Sequence, residues 1–354
     1  MIKMGKKSIR IGRRLIGEGK PCFVVAEIGV NHNGDLKLAK RMIMAAKRCG
    51  ADAVKFQNYE TEDFLSDRRL KYTYLSNGKR IVVSQFDMFK QCELSFRQIR
   101  ELKDYCDKLK IIFFSTPSSV KGVCELNKMR VGLLKNSSDN INNFDLISAM
   151  AKTSIPLVIS TGMSTISEIE DAVRTFKKSG GRELVLLYCV SLYPARMEHI
   201  NLRRIPLLVS KFACPVGLSD HSEGNLAAIS AVALGASFIE KHFTLAKDLP
   251  GPDHQFSADP KEFAALVSDI RRVELGLRAA PDELSDAEEK ARERFRLSCS
   301  AKCNIEKGKV LKKNMIAFRR PGTGIPAGNL KFIIGKKSQR YLYKNSIINF
   351  DDIC

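Results

Sequence analysis

The sequence predicts an α/β chain: a (β/α)8, or TIM, barrel followed by a small, mostly β domain. Three observations carry this. Short apolar runs alternate with helix-forming stretches over about 250 residues. The runs number eight, and each ends in polar residues. Beyond residue 295 the rhythm gives way to short alternating segments broken by Lys307-Gly, Arg320-Pro-Gly-Thr-Gly324 and Ile334-Gly-Lys. Eight buried-type strands alternating with helices match a closed parallel barrel. A doubly wound open sheet usually has fewer strands and a glycine-rich phosphate loop after the first, which is absent here.

Taken in order, Ile9 to Gly19 alternates and breaks at glycines, as a short hairpin plugging or preceding the main domain does. The apolar runs are Phe23–Ile28, Ala53–Phe56, Ile111–Ser115, Val131–Lys135, Leu157–Ser160, Leu184–Val190, Pro215–Leu218 and Phe238–Phe243. Helical stretches lie between them, for example Leu36–Cys49, Ser95–Leu109, Ser167–Lys178 and Asn225–Leu234, and Pro260–Leu277 follows the last. Residues 280–295 are highly charged with few apolar positions and read as an exposed helical linker. The expected organisation is an extension over 1–20, a barrel over 21–279, a linker over 280–295 and a small β domain over 296–354. A domain that small has a thin core and often leans on a partner.

Composition narrows the function. No apolar run approaches the roughly 18 residues of a membrane helix, and the basic N-terminus has no apolar stretch behind it, so neither a membrane span nor a signal peptide is expected. Ten cysteines without Cys-x-x-Cys pairs read as reduced thiols of a cytoplasmic protein. The net charge of +20 invites a nucleic-acid reading, but residues 1–20 hold +6 and residues 296–354 hold +10, leaving +4 for the middle. With no Trp and no arginine-rich helix, the charge reads as solvated basic surface and no nucleic-acid partner is expected.

Chemistry collects where the runs end. Glu240 and His242 share one face of Phe238-Ile-Glu-Lys-His-Phe-Thr244, with Lys241 on the other. His221 ends the preceding strand in Val216-Gly-Leu-Ser-Asp-His-Ser222. Each histidine alone reads as a hydrogen-bonded residue at a strand end; together, with carboxylates close by, they suit a divalent transition metal. Lys55 and Lys135 sit in otherwise apolar strands, where an unpaired ammonium is costly. They read as a clamp for a phosphate or carboxylate, with Ser115, Thr116, Ser138, Ser160 and Ser219 supplying further hydrogen bonds.

These residues carry a resemblance to the sialic acid synthase family. The matching segments are Ala26-Glu-Ile-Gly-Val-Asn-His-Asn-Gly34, Val54-Lys-Phe-Gln57, Ser115-Thr-Pro117, Ser160-Thr-Gly-Met163, Gly217-Leu-Ser-Asp-His-Ser222, Ile239-Glu-Lys-His-Phe-Thr244 and Gly251-Pro-Asp253. Arg319-Arg-Pro-Gly-Thr-Gly-Ile325 is similar to the family's antifreeze-like (SAF) domain. The resemblance spans nearly the whole chain in the family's order. It implies condensation of phosphoenolpyruvate with an N-acylated hexosamine aldehyde, giving a nine-carbon 2-keto sugar acid and phosphate. It also implies a divalent metal, manganese first and magnesium or cobalt as alternatives, on His221 and His242. Phosphoenolpyruvate would lie on Lys55, Lys135, Ser138, Ser160 and Ser219, and the sugar near Glu27, Gln57, Tyr193 and Asp253. Glu240 is the candidate for managing the proton near the attacking water. A homodimer is implied, the SAF domain of one subunit capping the partner's barrel and contributing Arg320.

Three departures stand out. The family's Lys-x-x-Ser-Gly-Glu is Lys135-Asn-Ser-Ser138-Asp-Asn here, a common His is Tyr188, and Ser191 replaces an Asn of some members. The first segment resembles the neuraminate and legionaminate branches more than the pseudaminate branch. N-acetylneuraminate synthesis is thus the leading expectation and N,N'-diacetyllegionaminate synthesis its alternative. A synthase of shorter sugar acids and a degenerate carbohydrate-binding member are the competing readings.

Overall fold

The computed structural model describes residues 8–12, 14–76, 79–278 and 284–354. The basic segment 1–7 and the first residues of the expected linker, 280–283, lie outside these. The chain divides into two compact units, Met1–Arg278 and Ala279–Cys354.

The first unit opens with an antiparallel hairpin, β1 (Ser8–Ile11) and β2 (Arg14–Gly17). The barrel strands begin with β3 (Phe23–Gly29) and β4 (Ala53–Asn58), separated by helix α1 (Leu36–Arg48). An excursion follows: the short helix α2 (Thr61–Phe64), a second hairpin β5 (Lys71–Ser76) and β6 (Lys79–Ser84), and α3 (Gln85–Cys92). Helix α4 (Phe96–Leu109) leads into β7 (Ile112–Pro117), then α5 (Val120–Lys128), β8 (Leu134–Asn136), α6 (Phe144–Lys152) and β9 (Leu157–Ser160). Helix α7 (Ile166–Lys178), β10 (Leu184–Cys189), α8 (Arg204–Phe212), β11 (Val216–Asp220), α9 (Leu226–Ala233), β12 (Phe238–His242) and α10 (Pro260–Gly276) complete the unit. The eight strands β3, β4 and β7 to β12 pair in parallel and close, β12 against β3.

The expected runs and strands agree to within a few residues, except β8. It is only three residues long, and one residue pair, Ser115 with Leu134, joins it to β7. The excursion between β4 and α4 was not anticipated, although Asn77-Gly78 between two alternating runs is a strong hairpin signal.

Two cores build this unit. The outer one lies between strands and helices; the inner one fills the barrel's lower half with Phe23, Val25, Ala53, Phe114, Leu133, Val158, Val185, Leu187 and Phe238. Ile9, Ile11 and Ile16 of the first hairpin join the inner core, so that hairpin plugs the base of the barrel. Gly217 leaves room for this packing: a Cβ there would meet Leu187 and Phe238 side-chain carbons at 2.7 Å.

The second unit carries α11 (Asp286–Phe295), which has no buried residue, and a two-stranded sheet of β13 (Ser298–Ala301) and β14 (Ile316–Arg319). Its core is small: Cys299, Ala301, Ile305, Leu311, Ile316, Ile325, Ile333, Leu342 and Ile348.

Candidate active site

The period-two rule of strands builds the site. Inward positions in the lower barrel are apolar; two residues further along each strand the same face turns polar. Phe23 and Val25 lead to Glu27, Ala53 to Lys55 and Gln57, Phe114 to Thr116, and Leu133 to Lys135. Val158 leads to Ser160, Leu187 to Cys189, Gly217 to Ser219 and His221, and Phe238 to Glu240 and His242. All these polar ends line one cavity of about 420 Å³, together with Ser138, Tyr193 and Asp253. The sequence-predicted site residues are therefore brought together except Arg320 and Ser115. Arg320 lies in the second unit, its guanidinium 5.2 Å from the Phe295 ring centre. Ser115, expected with the anion-binding hydroxyls, has the opposite parity: it is fully buried and does not line the cavity.

Gly29 makes the first turn possible. It has φ +52° and sits at a register shift between β3 and β4, and a Cβ there would come within 3.1 Å of Glu27 Oε1. The bulge leaves the Glu27 carboxylate free to turn into the cavity.

The floor is a buried charge network. Lys55 Nζ lies 3.0 Å from Glu27 Oε2 and 3.5 Å from Glu240 Oε1, and donates to Thr116 Oγ1 at 3.2 Å. Lys135 Nζ donates to Ser160 Oγ at 2.7 Å and lies 3.7 Å from Glu240 Oε1. Ser219 Oγ donates to Glu240 Oε1 at 3.1 Å, and Gln57 Nε2 donates to Glu27 Oε1 at 3.2 Å. The two carboxyls titrate in opposite directions. Burial pushes Glu27 up to about 7 against the pull of Lys55, with Glu240 adding to the rise. Glu240 is buried as deeply, but Lys135 and Lys55 together outweigh burial and hold it below the usual range. Burial pushes Asp253 up to about 6.

The altered turn after Lys135 keeps its hydroxyl in place. Ser138 opens a short 3-10 turn, Ser138–Asn140, and its Oγ accepts the Gly162 N–H at 3.0 Å. Asp139 and Asn140 also line the cavity.

The two histidines stand together, ring centres 5.4 Å apart, with the Tyr193 ring 4.2 Å from that of His221. His221 Nδ1 lies 2.8 Å from the Val190 carbonyl, a contact only an N–H can make, and its Nε2 lies 3.4 Å from Ser219 Oγ; burial pulls the imidazole down, but Cys189, the Val190 carbonyl and Glu240 outweigh it and push His221 up. His242 Nδ1 is buried without a hydrogen bond, 3.5 Å from Asp253 Oδ2. Burial, then His221 and the nearby lysines, push His242 well below the ordinary histidine range, so its ring is neutral. No cluster of three or more His, Cys, Asp or Glu forms a metal cage among the described residues. His221 Nε2, on a ring oriented by the Val190 carbonyl, and the orphaned His242 Nδ1 still suit a divalent transition ion completed by water or substrate oxygen.

Behind the histidines, Lys241 points out of the barrel. Its Nζ donates to Asp220 Oδ2 at 2.7 Å, Ser222 O at 2.5 Å and Gly224 O at 2.7 Å, while Asp220 Oδ1 accepts from Ser222 N and Oγ. This closed network ties the end of β11 to β12. His32 and His254, which share the loops, are buried in local hydrogen bonds to Gly34 and Thr244 and do not line the cavity.

Residues 42–280 match the model of the NeuB family and residues 301–353 match the SAF domain. The chain belongs to the NeuB family, the sialic acid synthases with a C-terminal SAF domain. A Methanocaldococcus jannaschii protein described as uncharacterized is 43% identical over 98% of this chain and 99% of its own length. The N,N'-diacetyllegionaminic acid synthase of Legionella pneumophila is 38% identical over 95% and 96%. The crystal structure of the Leptospira borgpetersenii N-acetylneuraminic acid synthetase, 37% identical, superposes with a TM-score of 0.74 over 80% of this chain and 94% of that one. Among NeuB members the names cover sialic, legionaminic and pseudaminic acid synthases.

Sequence reasoning missed two parts of this NeuB site. Tyr59, Phe64, Tyr72, Met88 and Phe89, all from the excursion between β4 and α4, form one wall of the cavity. Cys189, one of the ten cysteines read only as reduced thiols, also lines the cavity, with Sγ 3.8 Å from His221 Nδ1. Its inward parity in β10 was the available signal. Among the described residues no helix is long and apolar enough to cross a membrane.

Proposed function

We propose that the chain condenses phosphoenolpyruvate with an N-acylated hexosamine aldehyde to a nine-carbon 2-keto sugar acid, releasing phosphate. The observation that carries this is the pairing, in one cavity, of two buried lysines and a cluster of hydroxyls with the two neighbouring imidazoles of His221 and His242. Lys55 and Lys135, with Ser138, Ser160 and Ser219, suit the phosphate and carboxylate of phosphoenolpyruvate. Carbon 3 of phosphoenolpyruvate attacks the aldehyde carbon, water captures the cation-like carbon 2, and the C–O bond to phosphate breaks in the tetrahedral intermediate. A divalent ion on His221 and His242, manganese first, would supply Lewis acidity at the aldehyde oxygen.

Proton handling is divided between the two: Glu240, ionised, can take the proton that the attacking water loses, and Glu27 can supply one to the aldehyde oxygen. Glu240 is held ionised between two lysines and suits the developing positive charge at carbon 2. Glu27, pushed up to about 7, can give its proton to the aldehyde oxygen as it becomes a hydroxyl. Gln57, Tyr193 and Asp253 stand beside it to orient the sugar. N-acetylmannosamine and its 2,4-diacetamido-2,4,6-trideoxy counterpart both fit this chemistry. The reading extends to a homodimer in which the SAF domain of one subunit brings Arg320 to the partner's barrel. The deciding experiment is phosphate release from phosphoenolpyruvate, with manganese, across N-acylated mannosamines. Release that requires both substrates is expected. Folded, metal-loaded protein that releases none would leave a degenerate binding protein.

A further inference from the structure

The charged stretch before the small domain does more than connect. The last turn of α11 is packed against the loop that carries Arg320. Gly322 N donates to the Glu293 carbonyl at 2.7 Å, satisfying one of the carbonyls that the end of a helix leaves open. A Cβ on Gly322 would lie 2.6 Å from the Arg292 carbonyl oxygen and 2.9 Å from Arg296 Cβ, so glycine is what lets the loop come this close. Ser298 Oγ holds the other side of the loop. It donates to the Pro321 carbonyl at 2.8 Å and accepts the Gly324 N–H at 3.0 Å. The two adjacent arginines then part. Arg319 Nη1 donates to Ser300 Oγ at 3.0 Å within the small sheet, whereas the Arg320 guanidinium lies 5.2 Å from the centre of the Phe295 ring, at the end of α11. Among the described residues no carboxylate pairs with Arg320. Phe295 is 59% exposed and stands outside the small domain's core, so packing does not explain its place.

The kind of partner matters. A carboxylate would neutralise the guanidinium and occupy its N–H donors. An aromatic face attracts the cation and leaves the planar fork of donors free. The end of a helix adds to this, because its open carbonyls favour a cation close by. Arg320 is thus fixed in direction while its charge and donors stay unspent, as a group must be that serves a ligand outside its own fold. We propose that the last turn of α11 is the seat that presents Arg320, with Phe295 as its positioning residue. This rests on the proposal that Arg320 serves the sugar site, and it adds the device that aims the guanidinium.

The test measures kcat and both KM values of the full-length, manganese-loaded chain by phosphate release, with N-acetylmannosamine or its 2,4-diacetamido-2,4,6-trideoxy counterpart, whichever turns over. Phe295→Leu, which removes the ring and keeps an apolar side chain, should raise the sugar KM about two- to fivefold, the worth of one exposed cation–π contact. The phosphoenolpyruvate KM and kcat should hold. Phe295→Tyr, which restores a ring, should keep the wild-type sugar KM. In an Arg320→Ala background Phe295→Leu should do nothing further, because it acts only through that guanidinium. An unmoved sugar KM in Phe295→Leu, where Arg320→Ala does weaken sugar use, overturns the seat and leaves the Arg320 reading standing. A loss that Phe295→Tyr shares, or that persists in the Arg320→Ala background, overturns it as well. A sugar KM unchanged in Arg320→Ala removes the reading of Arg320 and this inference with it. Folded protein that turns over neither sugar removes the synthase reading and both that stand on it.

Discussion

Glu27 and Glu240 show how one buried floor gives two carboxyls two roles. Both are nearly inaccessible, 1% and 4% exposed. What separates them is the count of ammonium neighbours: Glu240 has Lys55 and Lys135, Glu27 has only Lys55. A proton donor must be protonated to act, so a Glu27 near 7 is competent below neutral pH and is lost as pH rises through about 7. Activity is expected to fall on that alkaline limb. Glu27→Gln, which cannot donate a proton, should lower kcat about 10²- to 10⁴-fold and leave residual activity flat through pH 7. A limb persisting in the variant would assign it elsewhere. The histidines predict a separate outcome. Chelation by EDTA should stop phosphate release and manganese should restore it, while His221→Ala and His242→Ala stay folded by circular dichroism yet cannot be restored. Activity that survives both chelation and substitution would remove the metal from the reading.

The elements that carry these side chains are held by features the substrate never touches. Lys241 is 1% exposed and makes three hydrogen bonds that pin β12 to the end of β11, so the strands presenting His242 and His221 move together. Lys241→Ala would strand the Asp220 carboxylate in the interior, a loss of about 3–5 kcal/mol. Urea unfolding should register it as a lower midpoint with an unchanged slope, and a loss under 1 kcal/mol would show the network to be dispensable. The sequence displayed the alternation of Glu240, Lys241 and His242, and hence which of them share a face. It did not display what Lys241 pairs with, because Asp220 is a neighbour only once β11 and β12 are side by side. Ser115 failed for the converse reason: its residue type suited an anion, and only its parity in β7 sends it away. The aromatic wall was hidden in an insertion whose signal, an Asn-Gly between alternating runs, sits outside the barrel rhythm that drew the eye.

At the scale of the whole chain, counting strands was enough. Eight apolar runs ending in polar residues could close in only a few ways, and a barrel places all those ends on one rim. If the SAF domain serves the partner's barrel, two crippled chains should rescue each other. His221→Ala disables the barrel of one subunit, and Arg320→Ala disables the cap of the other. In the mixed dimer, the barrel with intact His221 meets the partner's intact Arg320, so one of two sites works. Co-expressed variants, purified on two different tags, should then recover a large share of half the wild-type rate, where each homodimer alone is weak. Arg320→Ala by itself should raise the sugar KM about tenfold or more and leave the phosphoenolpyruvate KM within about twofold, the pattern of a residue that binds only the sugar. An inactive mixed dimer would place each cap on its own barrel. A rise confined to phosphoenolpyruvate would move Arg320 to the anion pole beside Lys135.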